Sequence, residues 1–493
     1  MNRVAPVALA LAVTLVTSAH VGSPNVIFDG NAGPYPVRVI IRPPEVVPGV
    51  AEVIVRVDAP DAQRVVIRPV YWHTGIGGAP AGDEMKRVAG QDRVYTGQLW
   101  LMNRGAYSVY ATVAGARGSG TAIVPVNSIA TGRLPLSRNL GTILVVLGAL
   151  LVAGLLTIIR AMAGESLVPP GQAVDPARRR RANLVTALSA PVLALLLFGG
   201  AKWWTAEDAG YRARIYASPE VDGSVTVDDS RRTLRLAVHD TTPYHILHAP
   251  VAPDHGKMMH LFLVRLPAMD AFAHLHPLQS DSLHFATEVP ALPAGHYRLF
   301  GDITLESGFA LTVTNTVDLP EARGAVTPSD SDDAWTLPAP AVKLLPGAVA
   351  QLGDGFTMAW SGGEIPVLAR RSTDLRFVVR DAKGTAVPLE PYLGMAGHAV
   401  VVRDDQSVFI HLHPMGTVAT VAQHVFVLRD RGDTTSRGRL RADALVATAM
   451  PPMTLSGAPN FPYEFPKPGR YRIWVQVKPA QRVLTGTFDV DVR

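Results

Sequence analysis

The chain has no cysteine among its 493 residues, and that absence excludes a wide range of chemistry. Without thiols there are no disulfides, so stability must come from burial. A thiolate-ligated blue-copper centre, an iron–sulfur cluster, c-type haem attachment and a lipidated cysteine anchor are excluded with them. Any metal must be held by His, Met, Asp or Glu. Charge is sparse too: charged residues make up 18% and the formal net charge is only +5, with four positive charges in the single run Arg178 to Arg181. No basic surface suited to nucleic acid follows from that. Nucleotide-binding loops, an HExxH motif and a Ser-His-Asp signature are missing, and the acidic residues are scattered. The sequence therefore points away from an enzyme, although copper redox chemistry at histidines stays open as a third reading.

Long apolar runs are what the chain does have. Hydrophobic residues reach 48% and the mean hydropathy is +0.18. Residues 4–16, after Arg3, are apolar and are followed by Thr17-Ser18-Ala19, which predicts a signal peptide over 1–19 and export of the chain. Residues 140–159 are uncharged, bounded by Arg138 and Arg160, and long enough at about 1.5 Å per residue to cross a hydrocarbon core of roughly 30 Å. They predict a first transmembrane helix over 138–160. A second apolar run, 184–201, contains Pro191 and ends at Lys202-Trp203-Trp204, which predicts a second helix over 182–205 with an interfacial aromatic anchor. The intervening 161–181 carries Arg160 at its edge and Arg178 to Arg181. By the positive-inside rule it is cytoplasmic, and the long parts of the chain face outward from a bacterial inner membrane.

Outside the helices the pattern is β. Residues 20–132 contain short β-rich runs such as 37–41, 51–57 and 65–72, separated by Pro, Gly and Asp. A Pro- and Asp-rich stretch at 323–340 reads as a linker between 206–322 and 341–493. Each of these two parts opens with a similar strand (233–240, 374–381), and all three exported parts close on a Gly-x-Tyr strand at Gly105, Gly295 and Gly469. The predicted fold class is mainly β: three immunoglobulin-like or cupredoxin-like β-sandwiches plus two transmembrane α-helices.

One motif occurs twice. In residues 398–414 two apolar runs flank Asp404-Asp405, and in 260–277 two flank Pro267. Pairing Arg403 with Gln406 sets His398 opposite His411, and the corresponding register sets His260 opposite His274. His413 and His276 lie two residues on and share the same face. Directly opposed Cβ atoms are about 4.5 to 5.5 Å apart, so each hairpin offers three imidazoles to one ion: His260, His274 and His276 in the first, His398, His411 and His413 in the second. The thioethers of Met258, Met395 and Met415 are nearby in sequence and would suit Cu(I). Imidazole with thioether fits copper and is compatible with zinc. The plain alternative is that each histidine caps a strand end and each methionine fills a core.

The remaining histidines and methionines carry less. His245, His248 and His255 precede the first hairpin as outer ligands or solvated side chains. His284, His296 and His424 have no counterpart in the other copy and read as structural. Met450 and Met453 sit in a Pro-rich loop. Cleavage after Ala19 would make His20 a chelating N-terminus, with His73 able to complete a site. In this His20 resembles the CopC-type periplasmic copper proteins, whose mature chains begin with histidine.

The N-terminal part, with its Gly-x-Tyr strand and Leu99-Trp100-Leu101-Met102, resembles the YtkA-like and FixH-like exported immunoglobulin-like domains. The two later parts resemble extracytoplasmic sandwiches in which a Met-x-His or Gly-His strand precedes HLHP. That resemblance implies a sandwich fold and a heavy-metal-handling setting. The expected function is binding of a transition metal, copper before zinc, for sequestration or delivery to a metal-transport or metalloenzyme-assembly partner in the envelope, by exchange from exposed His and Met ligands. The alternative is a structural or assembly scaffold in which the histidines only pack.

Overall fold

Alternating burial along the strands sets the architecture. In Gly49–Val57 the side chains of Ala51, Val53, Val55 and Val57 are buried while Glu52 faces out, the period-two pattern of a strand with one face on a core. The same pattern recurs along the chain, and a computed structural model describes residues 25–169, 171–228, 231–240, 247, 249–321, 330–337, 340–363, 365–435, 439–441 and 458–493. The fold is mainly β, with three α-helices among the described residues, two of them long and apolar. The signal segment, His20, His245, His248, Met450 and Met453 lie outside the described residues.

Two compact units result. The smaller, Ala130–Ile215, is a helical hairpin. Helix α1 is Arg138–Glu165 and α2 is Pro176–Arg212, at 28 and 37 residues both long and apolar enough to cross a membrane. Helix α2 starts earlier than its hydropathy implies. Asp175 caps it by accepting from Ala177 N, and Pro176 takes the first turn, where a missing N–H costs nothing. Arg178 to Arg181 therefore lie on the helix and not in the connecting loop. Pro191 stays inside it. Gly164 and Ala182 meet where the helices approach. At the open end Asp208 pairs with Arg133 and Arg212, both at 2.7 Å, and Tyr211 Oη donates to Gly132 O at 3.1 Å. Both ends of the unit are thus tied together.

The larger unit holds three sandwiches. In the first, a sheet of Val26–Ala32, Tyr35–Arg42, Gly49–Val57, Gln91–Leu101 and Lys86–Val88 packs on one of Asp83–Glu84, Ala62–Tyr71, Gly105–Gly115 and Gly118–Ser128. In the second, one continuous sheet runs from Leu278–Gln279 round to Ala334–Thr336 and encloses its own core. Two sheets, of five and four strands, form the third. The Gly-x-Tyr repeat has a structural cause in all three. Gly105, Gly295 and Gly469 have φ of +124, +146 and +143°, which L side chains avoid. Each lets the tyrosine two residues on reach the backbone four residues before itself: Tyr107 Oη accepts from Asn103 N, Tyr297 Oη donates to Pro293 O and Tyr471 Oη to Lys467 O. This is the tyrosine-corner arrangement of immunoglobulin-like sandwiches.

The sandwiches are not beads on a linker. Glu464, fully buried, accepts from Asn25 and from Arg42 of the first sandwich, the latter at 2.9 Å. Helix α3, Thr420–Asp430, follows the second hairpin and was not apparent from the sequence. It buries Val421, Val425 and Phe426, with Phe426 edge-on to Trp72 at 5.3 Å. Ala419 provides no side-chain cap for α3, and Asp254 of the second sandwich supplies one by accepting from Val421 N at 3.0 Å. The stretch read as a linker also does structural work: Ala334–Thr336 pairs with Phe272–Leu275.

Candidate metal centre

The two histidine hairpins fold as strands His260–Arg265 with Phe272–Leu275 and His398–Arg403 with Phe409–Leu412. Their register differs from the sequence expectation by two residues. Phe262 lies opposite His274 and Val264 opposite Phe272, while Val400 lies opposite His411 and Val402 opposite Phe409. The reason is the turn: Gln406 takes φ +60° within a longer loop closed by Arg403 N donating to Val408 O. A shift of two keeps every side chain on its face. So the three imidazoles of each hairpin remain together.

What the sequence did not reveal is that the two histidine faces pack against each other. The contacts are reciprocal. Phe300 stacks on Phe409 at 4.2 Å and Trp474 stacks on Phe272 at 4.7 Å. Asp302 and Gln476 are the neighbours of His260 and His398 on the adjoining strands, yet each reaches across: Gln476 Oε1 accepts from His274 Nδ1 at 2.8 Å, and Asp302 Oδ2 is 3.6 Å from His411 Nδ1. The two hairpins therefore meet in a local two-fold arrangement, sealed by Phe262, Val264, Phe272, Phe300, Phe409 and Trp474.

His255 completes the cluster. It sits in a turn at φ +52°, followed by Gly256 at φ +79°, and its ring is buried even though its backbone is not. Leu393 and Gly394 form the matching turn before the second hairpin, with φ of +51 and +79°. In both copies the turn glycine stands four residues before the first histidine, a repeat that could have flagged His255. The ring nitrogens fall into two sets, each with donors within 4.8 Å of one another: His260, His274 and His276, and His255, His398 and His413. His411 lies between them, its ring 5.1 Å from His260 and 5.0 Å from His398.

Outer nitrogens are anchored and inner ones are not. His276 Nδ1 donates to Asp333 Oδ1 at 3.0 Å, His413 Nδ1 donates to Val418 O at 3.0 Å, and His274 Nδ1 donates to Gln476. The Nε2 atoms of His276, His398 and His413 are buried with no hydrogen-bond partner among the described residues. Metal-bound histidines have this pattern: one nitrogen held by a carboxylate, carbonyl or amide, the other free for the ion.

His260 makes the point more sharply. Its Nε2 faces Asp254 O at 3.3 Å and its Nδ1 faces His274 Nε2 at 3.1 Å. His274 already donates through Nδ1, so its Nε2 carries a lone pair. A neutral His260 has one N–H and cannot serve both contacts. If it donates to Asp254 O, two lone pairs face each other across 3.1 Å. His398 Nδ1 and His411 Nε2 face each other at 3.3 Å. Two nitrogens bound at 2.0–2.1 Å to one tetrahedral ion stand about 3.3 to 3.4 Å apart, so the His260–His274 pair is close to the spacing of a shared ion, whereas His398, whose Nε2 is the partnerless nitrogen, can donate through Nδ1 to His411 Nε2.

Burial, followed by the neighbouring rings, holds His260, His274, His398 and His411 well below the ordinary histidine pKa, and burial brings His413 to about 4. At neutral pH these five imidazoles are uncharged and free to bind metal. The expectation of exposed ligands is wrong: the six hairpin histidines are at most 7% exposed, because the sandwiches close over them.

A family described as a domain of unknown function, DUF8832, matches residues 217–321 and 350–493, just over half of the chain, and those segments contain all seven histidines of the buried cluster. The chain belongs to the DUF8832 family. The two DUF8832 segments are the second and third sandwiches, and the interval between them carries Asp330 and Asp333. No curated protein matches the chain. Among solved structures it is similar to an engineered protein at 22% identity, covering 18% of this chain and 19% of that one (TM-score 0.15). A tetra-tandem repeat from a large adhesion protein is 9% identical over 90% of this chain and 71% of that one (TM-score 0.15). The alpha-2-macroglobulin of E. coli is 9% identical over 95% of this chain, which spans only 23% of that protein (TM-score 0.20). Scores this low carry no argument about fold or function.

The other predicted ligands have other surroundings. Met258 packs on the second sandwich's core, Met395 is buried in the turn with Tyr392, and Met415 packs against the first sandwich, where its sulfur accepts from Thr420 Oγ1 at 3.6 Å. His73 is exposed, and its carbonyl accepts from Arg429. His284 and His296 pair with Asp281 and Asp318 at the surface. Because Asp333 fixes the His276 ring, Asp333→Ala is expected to lower metal affinity about 10- to 100-fold, with Asp333→Asn in between. Chelator competition on the full-length protein would measure this.

Proposed function

We propose that this is a membrane-anchored cell-envelope protein whose paired sandwiches hold a transition metal, copper ahead of zinc, in the buried histidine centre. The observation that carries the reading is the pair of partnerless, buried Nε2 atoms of His276 and His413, on rings whose outer nitrogens are anchored by Asp333 and Val418 O. Neutral imidazoles without thiolate suit copper and zinc alike. The heavy-metal-handling setting implied by the HLHP-containing sandwiches that the two later parts resemble supports copper. Burial favours sequestration or a resident ion over rapid hand-off. Delivery to a metal-transport or metalloenzyme-assembly partner would require the sandwiches to part. Helices α1 and α2 would anchor the protein in a bacterial inner membrane, with Arg178 to Arg181 cytoplasmic and the sandwiches outside.

The test uses the full chain in detergent, because the first sandwich is joined to the third through Glu464. Wild type and a His260→Ala, His274→Ala, His276→Ala variant are titrated with Cu(I), Cu(II) and Zn(II), and a reporter fused between α1 and α2 reads the side. Submicromolar binding that weakens in the variant supports the reading, as does a cytoplasmic reporter. A folded wild type that binds none of the three ions would leave the scaffold reading, and an external reporter would overturn the topology.

A further inference from the structure

The reading above places metal in the centre, and the arrangement of its nitrogens goes further. Six of the seven histidines divide into two non-overlapping sets of three, and no nitrogen is shared between them. A tetrahedral ion takes four ligands, so one ion cannot satisfy both sets. Each set has its own partnerless Nε2, on His276 in the first and on His398 and His413 in the second. Each set also has its own outer anchor, Asp333 on His276 and Val418 O on His413.

The two sets differ in origin. His260, His274 and His276 come from one hairpin. The second set draws His398 and His413 from the third sandwich and His255 from the second, so it exists only when the two are docked. The local two-fold explains why the sets are unequal. The position matching His255 in the other copy is Leu393, which has no donor. Next to it Tyr392 turns its hydroxyl toward the first set, with Oη 3.2 Å from His274 Nδ1 and donating to Asp332 O at 2.9 Å.

The sets also touch. His260 and His398 have ring centroids 6.4 Å apart, His274 and His398 6.1 Å, and His255 and His260 6.2 Å. His411 contacts both, at 5.5 Å from His274 and 4.6 Å from His413. Charge compensation is divided in the same way. Asp333 serves the first set and Asp254, 3.6 Å from His255 Nε2, the second, while Asp302 faces His411 Nδ1 at 3.6 Å.

Resting on the metal-binding reading, we propose that the centre is a two-ion site. One ion is held by His260, His274 and His276, the other by His255, His398 and His413, and His411 forms the wall between them. The second ion is a clip joining the two sandwiches of the DUF8832 fold.

The experiment is metal content per chain. Full-length protein in detergent is stripped, loaded with Cu(II) or Zn(II), desalted and assayed, with His255→Ala, His255→Gln and His276→Ala beside it and circular dichroism as the folding control. The expected result is two equivalents in wild type and one in each variant. The Cu(II) form should give a half-field electron paramagnetic resonance signal that every single variant replaces with that of an isolated ion. One equivalent in wild type, with the metal abolished by either His255→Ala or His276→Ala, would overturn the two-ion proposal while leaving metal binding intact. No metal in the folded wild type would remove the metal reading itself.

Discussion

Stripped of metal and taken below pH 6.5, the protein is expected to lose its packed histidine interface, with near-ultraviolet circular dichroism from Trp474, stacked on Phe272, collapsing before pH 4. The sign follows from the buried imidazoles. In the unfolded chain a histidine takes up its proton near pH 6.5. In the folded protein burial and neighbouring rings hold His260, His274, His398 and His411 well below that, and His413 near 4. Between those values the unfolded state binds more protons, so stability is full above pH 6.5 and falls as the pH drops toward the folded values. At pH 5 His413 alone costs about 2 kcal/mol. Four more rings act in the same direction, against a typical net stability of about 5–15 kcal/mol. Bound metal competes with these protons, so a loaded protein should unfold at lower pH and release its metal as it does. Thermal melts of stripped and loaded protein from pH 7.5 to 4.5 measure this; equal acid sensitivity in the two forms would contradict it.

Phe409→Ala is expected to cost about 3–5 kcal/mol, the usual cost of a truncated core phenylalanine, and to weaken metal binding without removing a ligand. Phe409 is 1% exposed and stacks on Phe300 across the interface between the sandwiches. Phe377 is the control: it is equally buried but lies in the third sandwich's own core. Phe377→Ala should lower stability by a similar amount and leave affinity closer to wild type, because it does not hold the two histidine faces together. If both variants lose affinity equally, the interface is not what assembles the centre.

How much of this was legible in the sequence depends on the range of the interaction. The missing cysteines confined any metal to His, Met, Asp and Glu. Length and apolarity marked α1 and α2, and the caps that displaced the start of α2, Asp175 and Pro176, can be read from the sequence as well. Period-two alternation gave the strands, and the repeated HLHP gave two hairpins with their histidines on one face, a result that survived a two-residue register shift because the strand repeat is two. Each of these is settled within about twenty residues along the chain.

The tertiary structure decided the rest. Spacing within one hairpin says nothing about which surface covers it, so the sequence suggested two separate, exposed sites. In the fold the two faces are buried on each other, Gln476 and Asp302 exchange partners across the interface, and the supposed linker delivers Asp333 to His276. His255 joins His398 and His413 only because the sandwiches dock, more than a hundred residues apart in the chain. Local pattern placed each imidazole on its strand face. Burying the apolar rims around Phe262, Phe300, Phe409 and Trp474 brought those faces together, and that long-range packing is where the candidate centre came from.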